Sequence, residues 1–412
     1  MSLSLISFSV LSLDARAGDL KSPFELESTA VLPAGVRNPR VKNLFMEVDD
    51  RFNALGKPEA LGLRLNKPVG WAEVLASAPD PVLAQAVLLN KGISTDGSVG
   101  AGTTLGTIKV AAQVTVPVLA WGLTPKLTIA WAFPIMSIQT QTDTGFRLSS
   151  DGESFLQGVN DVNHYKAAEL VDKLNTAVNT KLQKLGYSPV SSEKFTRLGD
   201  IKMIGKYMAY DSDRINVAVR GEITFPSGRA PQADKVVDVP TGDGQTDWGG
   251  AGIVDGPLPV RGLRWNSYAG FTYQTAARLE RRVPLKAGDP LSADKETLDR
   301  KLGNLWTSGA GVSYSYLPFG LNFGAGYHFQ YLGATRYKPG QFAVERYRLL
   351  ENESPSQQLQ SLSLTAAFSS VEWYRQKQFV YPFQTAFSYN RPLAGKNATT
   401  NSIWAAELVA FF

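Results

Sequence analysis

Hydrophobic and polar positions alternate with period two over most of this chain. In "VAAQVTVPVLAW", Val110, Ala112, Val114, Val116, Val118 and Ala120 share one face, opposite Gln113, Thr115 and Pro117. In "KLTIAWAFPI", Leu127, Ile129, Trp131, Phe133 and Ile135 oppose Thr128, Ala130 and Ala132, and Gly122-Leu123-Thr124-Pro125 between the two segments reads as a tight hairpin turn. The alternation returns as Met203 and Tyr207 against Lys202 and Lys206, and as Val217, Val219, Ile223 and Phe225 against Asn216, Arg220, Glu222 and Thr224. Trp265, Phe271, Tyr273 and Leu279 oppose Asn266, Gln274, Arg278 and Glu280, and Phe323, Tyr327 and Phe329 oppose Gly324, Gly326 and His328. One face is greasy and the other polar or tiny, and hydrocarbon is the expected neighbour of the greasy one.

The pattern predicts strands over 36–48, 100–121, 126–142, 195–211, 214–229, 245–256, 262–282, 302–316, 320–337, 357–374, 380–392 and 401–412. Their connections alternate long and short, an asymmetry that a soluble sandwich has no reason to adopt but outer-membrane barrels show. The expected fold is therefore all-β: a transmembrane antiparallel up-and-down β-barrel of about 12 strands over 36–412, with both termini periplasmic. Tryptophans cluster at strand ends, as an interfacial girdle requires, with Trp131, Trp265, Trp306 and Trp404 as its expected members. At the terminus, "SIWAAELVAFF" sets Trp404, Ala406, Leu408, Ala410 and Phe412 on one face and Glu407 on the other. As a last strand it pairs with the first and leaves no free edge, and its terminal Phe412 resembles the assembly signal of bacterial outer-membrane barrels.

Three stretches carry a wider likeness. "VLAWGLTPKLTIAWAFPI", the pair "GEITFPSGRA" and "PTGDGQTDWGGAGIV", and "GLNFGAGYHFQYLGATRYKPG" resemble outer-membrane transporters of the meta-pathway phenol-degradation group, the last also resembling the FadL-like long-chain fatty acid transporters. The resemblance spans about 300 residues and rests on turn and strand grammar. It implies a barrel and transport of small hydrophobic or aromatic molecules.

Composition then narrows the address. No run of about 18 apolar residues offers a transmembrane helix, so a membrane reading requires a closed barrel. Residues 1–17, with the apolar "LSLISFSVLSL" before Ala15-Arg16-Ala17-Gly18, read as a signal peptide lacking its charged start, with an ordinary N-terminal strand as the alternative. A net charge of +5 is spread without a basic block, which gives no footing for nucleic acid. Cysteine is absent, which removes disulfides and thiol chemistry.

Candidate chemistry falls in three places. The expected lumen lining comprises Lys202, Lys206, Arg220, Glu222, Arg278, Glu280, Arg282 and His328, able to orient a dipolar solute or to fill a narrow barrel as ion pairs. Two loop helices are expected outside the cell, near 80–90 and 161–185, and their apolar positions Leu83, Val87, Val171, Leu174, Val178 and Leu182 form either a capture cleft or a packed contact. The polar segment 18–35 is either a plug in the lumen or a loose periplasmic tail. The Asp and Gly residues of "PTGDGQTDWGG" suit a solvated loop better than a calcium site.

No catalytic constellation, metal site or cofactor motif stands out. The expected partners are outer-membrane lipid and lipopolysaccharide, the barrel-assembly machinery and a small-molecule substrate. A passive transporter is the leading function, against a structural or surface-interaction barrel or a general hydrophilic porin.

Overall fold

The computed structural model describes residues 27–66, 68–95, 100–287, 291–316 and 320–412. Residues 1–26 lie outside this set, and with them the expected signal peptide and the first part of the 18–35 segment. Twelve antiparallel staves close a barrel. They are β1 (Arg37–Val48), β2 (Gly102–Thr124), β3 (Leu127–Ala132 and Ile135–Leu148), β4 (Glu193–Leu198 and Ile201–Tyr210), β5 (Asn216–Phe225) and β6 (Asp247–Pro257). The ring continues through β7 (Leu263–Gln274), β8 (Leu305–Tyr316), β9 (Leu321–Leu332), β10 (Gln357–Ser369), β11 (Phe383–Lys396) and β12 (Ile403–Ala410).

Closure is complete because β1 pairs with β2 on one side and β12 on the other, with Arg40 opposite Val409 and Phe45 opposite Trp404. Beyond the last ladder residue, Arg37 and Phe412 exchange backbone hydrogen bonds, both of 2.9 Å. Every stave thus has partners on both edges, the condition for a sheet to cross hydrocarbon. Among the described residues no helix is long and apolar enough to cross a membrane, a limit that does not apply to strands.

The outward side chains form a continuous apolar surface. Leu119, Val219, Val312, Phe323, Leu364, Phe387 and Leu408 are all exposed on it. Near the ends of the staves that meet the long loops, aromatic side chains pair in register: Trp248 with Tyr273, Trp306 with Phe271 and Tyr331, and Trp404 with Tyr389 and Phe45. The rings of Tyr389 and Trp404 lie 4.3 Å apart and those of Phe271 and Trp306 4.6 Å apart. Amphipathic aromatics in such a band match a membrane–water interface. Trp131, Trp306, Trp404 and Phe412 point outward and are exposed; Trp265 is half-buried.

One face assignment is reversed. On β2, Val110, Val114 and Ala120 are buried in the barrel, whereas Leu119, Trp121 and Leu123 are exposed outside. Register explains the reversal: Val118 pairs with Ala132 and Leu119 with Trp131, so the valine stripe shares its side of the sheet with the small inward residues of β3.

A second difference concerns 262–282, which is not one strand. β7 ends at Gln274, and Ala276–Arg282 pairs instead with Lys295–Lys301, itself paired with Arg336–Tyr337, in a three-stranded sheet outside the barrel.

The long connections carry helices α1 (Trp71–Ser77), α2 (Pro81–Asn90), α3 (Ser150–Val162), α4 (His164–Lys184) and α5 (Val344–Asn352); a further short helix, α6 (Val371–Arg375), lies at the turn end. Asp80 caps α2, its carboxylate accepting from the Leu83 N–H at 3.0 Å. The helix expected over 161–185 is α4, preceded by a separate α3 that Ser149 caps through the Gly152 N–H at 3.0 Å.

Candidate functional site

Three adjacent staves give the lumen an apolar wall. Val114, Val116, Val118 and Ala120 of β2, Ala130 and Ala132 of β3 and Leu44 of β1 line a cavity of about 430 Å³ inside the barrel. Lys202 and Lys206 of β4, Arg220 and Glu222 of β5 and Tyr268 of β7 border the same cavity, with Arg40, Lys42 and Glu407 near the β1–β12 seam. The space is amphipathic. A solute with an apolar body and a polar or ionised end can place each part against a matching surface.

The charges are held rather than loose. Arg220 pairs with Glu27 and reaches Glu222 at 3.6 Å, and Arg40 reaches Glu407 at 3.6 Å. Interleaved ion pairs of this kind present dipoles without a large field of one sign.

Elsewhere the barrel interior holds hydrogen-bonded polar side chains beside buried apolar ones such as Ala218 and Ile253. Tyr268 Oη lies 2.9 Å from His328 Nδ1, and His328 Nε2 lies 2.7 Å from Ser363 Oγ. Asn390 donates to Ser361 Oγ at 3.1 Å. His328 and Ser363 are almost fully buried, so this hydrogen-bonded chain is a filling of the barrel rather than an accessible surface.

Residues 27–33 cross the turn end of the cavity. Thr29 donates its N–H and its hydroxyl to Asp255, each at 2.7 Å, and the Leu32 N–H donates to Thr128 Oγ1 at 2.7 Å. Lys206 donates to the Ser28 carbonyl at 2.9 Å. Glu27, Ala30, Val31 and Leu32 contribute directly to the cavity lining. Gly122 accommodates the crossing: a Cβ there would stand 2.1 Å from the Pro33 carbonyl oxygen.

At the loop end an apolar cluster continues the valine wall upward. Leu44, Val114 and Met136 belong both to the cavity lining and to this cluster, which adds Leu182 and Tyr187 from the second long loop, Val236 and Val239 from the 226–246 connection, and Leu291. Apolar packing is therefore shared between the loops and the cavity lining through Leu44, Val114 and Met136.

The loop residues singled out by spacing are mostly covered. Val87 and Leu174 are buried in a shared core with Trp71 and Phe155, Leu83 packs against that core, and Leu182 is buried in the cluster over the barrel mouth. Val171 is exposed, and the Val178 side chain lies outside the described set. Leu83, Val87, Leu174 and Leu182 thus take part in packed contacts within the loops.

Three expected lumen residues sit elsewhere. Arg278 and Glu280 are exposed on the outer three-stranded sheet, with Arg278 reaching Asp299 at 3.3 Å. Arg282 is buried among loops, donating to the carbonyls of Leu185, Gly186, Ala233 and Ser292 and to Asp234 at 2.5 Å. Its guanidinium stacks 3.9 Å from the centre of the Tyr187 ring, and burial pushes the Tyr187 phenol up to about 12. Burial alone would raise Asp234, but hydrogen bonds from Lys295 and Arg282 outweigh it and hold the carboxyl below its ordinary value.

The "PTGDGQTDWGG" stretch is not a solvated loop either. Thr241, Asp243 and Gln245 are buried, and Asp200 accepts from the Gly228 N–H at 2.8 Å and the Asp243 N–H at 3.2 Å. Sequence reading missed the inward valine stripe and Asp200, which also borders the cavity. The small residues Ala130 and Ala132 were the available sign of an inner surface on β3, and pairing β2 with them would have turned the stripe inward.

No protein-family model matches the chain, and no curated protein matches it in sequence. Solved structures do superimpose. An outer membrane channel from Pseudomonas putida F1 does so with a TM-score of 0.49 and 11% identity, over 94% of this chain and 100% of that one. A FadL homologue from Pseudomonas aeruginosa gives 0.34 and 8% identity, over 93% and 91% of the two chains. The toluene transporter TbuX from Ralstonia pickettii gives 0.34 and 11%, over 92% and 90%.

Proposed function

We propose that this barrel sits in a bacterial outer membrane, termini toward the periplasm, and passes small amphipathic molecules with an aromatic or short aliphatic body. The observation that carries this reading is the valine stripe of β2 turned into the lumen, in the same cavity that the cations of the nearby staves β4 and β5 border. A water-filled general pore has no use for such a wall, because it would repel hydrated solutes. For a solute carrying a phenyl-sized group the wall is attractive: complete burial of such a group is worth about 2–3 kcal/mol, or roughly 30- to 150-fold in occupancy. Lys202, Lys206 and Arg220 then act on the polar end of the solute and keep the apolar end against Val116 and Val118.

In this reading the loop helices do not capture solute in a cleft of their own. They hold Leu182 and Tyr187 over the barrel mouth, and solute enters where that cluster separates. Residues 27–33 act as the plug of the turn end and move when solute leaves. Reconstitution tests the proposal: radiolabelled benzoate should enter vesicles bearing the protein faster than a sugar of similar size. Val116→Asp should abolish that advantage while the barrel still folds.

A second reading is favoured by one observation, the residues that cross both ends of the cavity. A permanently closed barrel with a structural or surface role would show neither benzoate influx nor channel events in a planar bilayer.

A further inference from the structure

The connection between β10 and β11, residues 370–382, folds outward at the turn end. Phe368 and Phe383 belong to the apolar outer face of their staves, and the rings of Trp373 and Phe379 pack on them. Centroid separations are 5.5 Å for Phe368–Trp373, 6.3 Å for Trp373–Phe379 and 5.7 Å for Phe379–Phe383. The connection is therefore a lateral extension of the lipid-facing surface.

Its tip is apolar and open. Tyr374, Phe379, Val380 and Tyr381 are 46%, 40%, 76% and 67% exposed. Local bonds hold this shape. Ser370 Oγ donates to the Tyr381 carbonyl at 2.8 Å and accepts from the Phe383 N–H at 2.9 Å, and the Gln378 N–H donates to the Trp373 carbonyl at 2.8 Å. Lys377 takes a left-handed φ of 60°, which ends the α6 turn and directs the chain back toward the barrel. By contrast, the 211–215 turn at the same end is Asp-Ser-Asp-Arg-Ile, with Ser212 engaged locally through the Ile215 N–H and carbonyl.

Two cations flank the tip. Arg375 is 72% exposed, 4.0 Å from Glu372, and Lys377 is exposed beside it. They and Tyr374, Gln378, Phe379 and Val380 outline a shallow groove of about 580 Å³. Aromatic and aliphatic side chains continuous with a hydrocarbon-facing wall, ringed by arginine and lysine, have the chemistry of an interfacial anchor.

We propose that residues 371–381 form a membrane foot: Phe379, Val380 and Tyr381 enter the leaflet at the turn end, and Arg375 and Lys377 bind phospholipid phosphates. The foot stands apart from the transport reading and requires only that the barrel span a bilayer.

The absence of cysteine from the chain supplies the test. Val380→Cys carries the only thiol, and Ser212→Cys provides a reference on the polar turn of the same end. Each is labelled with an environment-sensitive nitrobenzoxadiazole dye and reconstituted in phosphatidylethanolamine–phosphatidylglycerol vesicles, with heat-modifiable gel mobility verifying that the barrel has closed. A nitroxide on the lipid acyl chain should quench the label at 380 at least about threefold more than that at 212, with aqueous iodide giving the reverse order. Adding Arg375→Gln and Lys377→Gln to Val380→Cys should weaken the acyl-chain quenching, most strongly in phosphatidylglycerol-rich vesicles. Equal quenching at 380 and 212 by both agents would overturn the proposal, and quenching indifferent to the two cation substitutions would overturn their assignment to phosphates.

Discussion

Val116 carries more of the functional argument than any charged residue in the barrel. It stands on the inner wall between Val114 and Val118, lining the cavity that Lys202 and Arg220 also border. Val116→Asp puts a carboxylate where the wall is apolar, and benzoate influx should fall at least about tenfold, the scale set by losing most of a buried phenyl-sized contact. Vesicle uptake against a sugar control measures it. Thr29 makes a separate prediction, since both of its hydrogen bonds end on Asp255. Thr29→Val removes the hydroxyl bond while keeping the shape, so residues 27–33 should be held less firmly and brief channel openings in planar bilayers should become more frequent. At this scale polar residues mark the cavity side at Lys202, Arg220 and Glu222, but the same alternation at Arg278 and Glu280 belongs to the outer sheet. The sequence was misleading at β2, because a valine stripe facing an apolar cavity has the same period and composition as one facing lipid. Only the identity of the paired residues Ala130 and Ala132 separates the two cases.

The loops behave as elements with their own stability. Asp234 joins Arg282 and Lys295 at 2.5 Å and 2.6 Å, tying the 226–246 connection to the outer sheet. Because the Asp234 carboxyl is held below its ordinary 3.8, its contribution to stability is complete above that value and is lost as pH falls through the lowered one. Lys295 has the opposite sense: its hydrogen bond with Asp234 raises it above 10.5, so its contribution is present below that value and disappears as pH rises through the higher one. Limited proteolysis should therefore cut the 226–246 and 283–294 connections faster below about pH 3.8 than at neutral pH, with the barrel staves intact. Substituting Leu174→Ala should also loosen the loops: removing a buried leucine costs about 2–5 kcal/mol, read as earlier melting of the α1–α4 helices without loss of the barrel. The helices at 80–90 and 164–184 were legible from apolar spacing and from Asp80-Pro81. The strand break at Thr275 was not, because Ala276–Arg282 alternates in an outer sheet with the same period as β7 does in the barrel.

For the whole molecule, the parity of loop lengths and the tryptophans at strand ends made the closed twelve-stave barrel legible, because both follow directly from having to cross a bilayer with strands. What the interior does was less legible, since it depends on which elements fold back into the lumen. Residues 27–33 enter from one end, and Leu182, Tyr187 and Val236 close over the other. The account's central claim is that the inward apolar wall selects the solute. Its most direct test is the ratio of radiolabelled benzoate influx to sugar influx in vesicles bearing the native chain or Val116→Asp. The prediction is a ratio well above one that collapses toward one in the variant, with closure of both barrels verified by gel mobility. A ratio near one for the native chain, or one that Val116→Asp leaves unchanged, would contradict it.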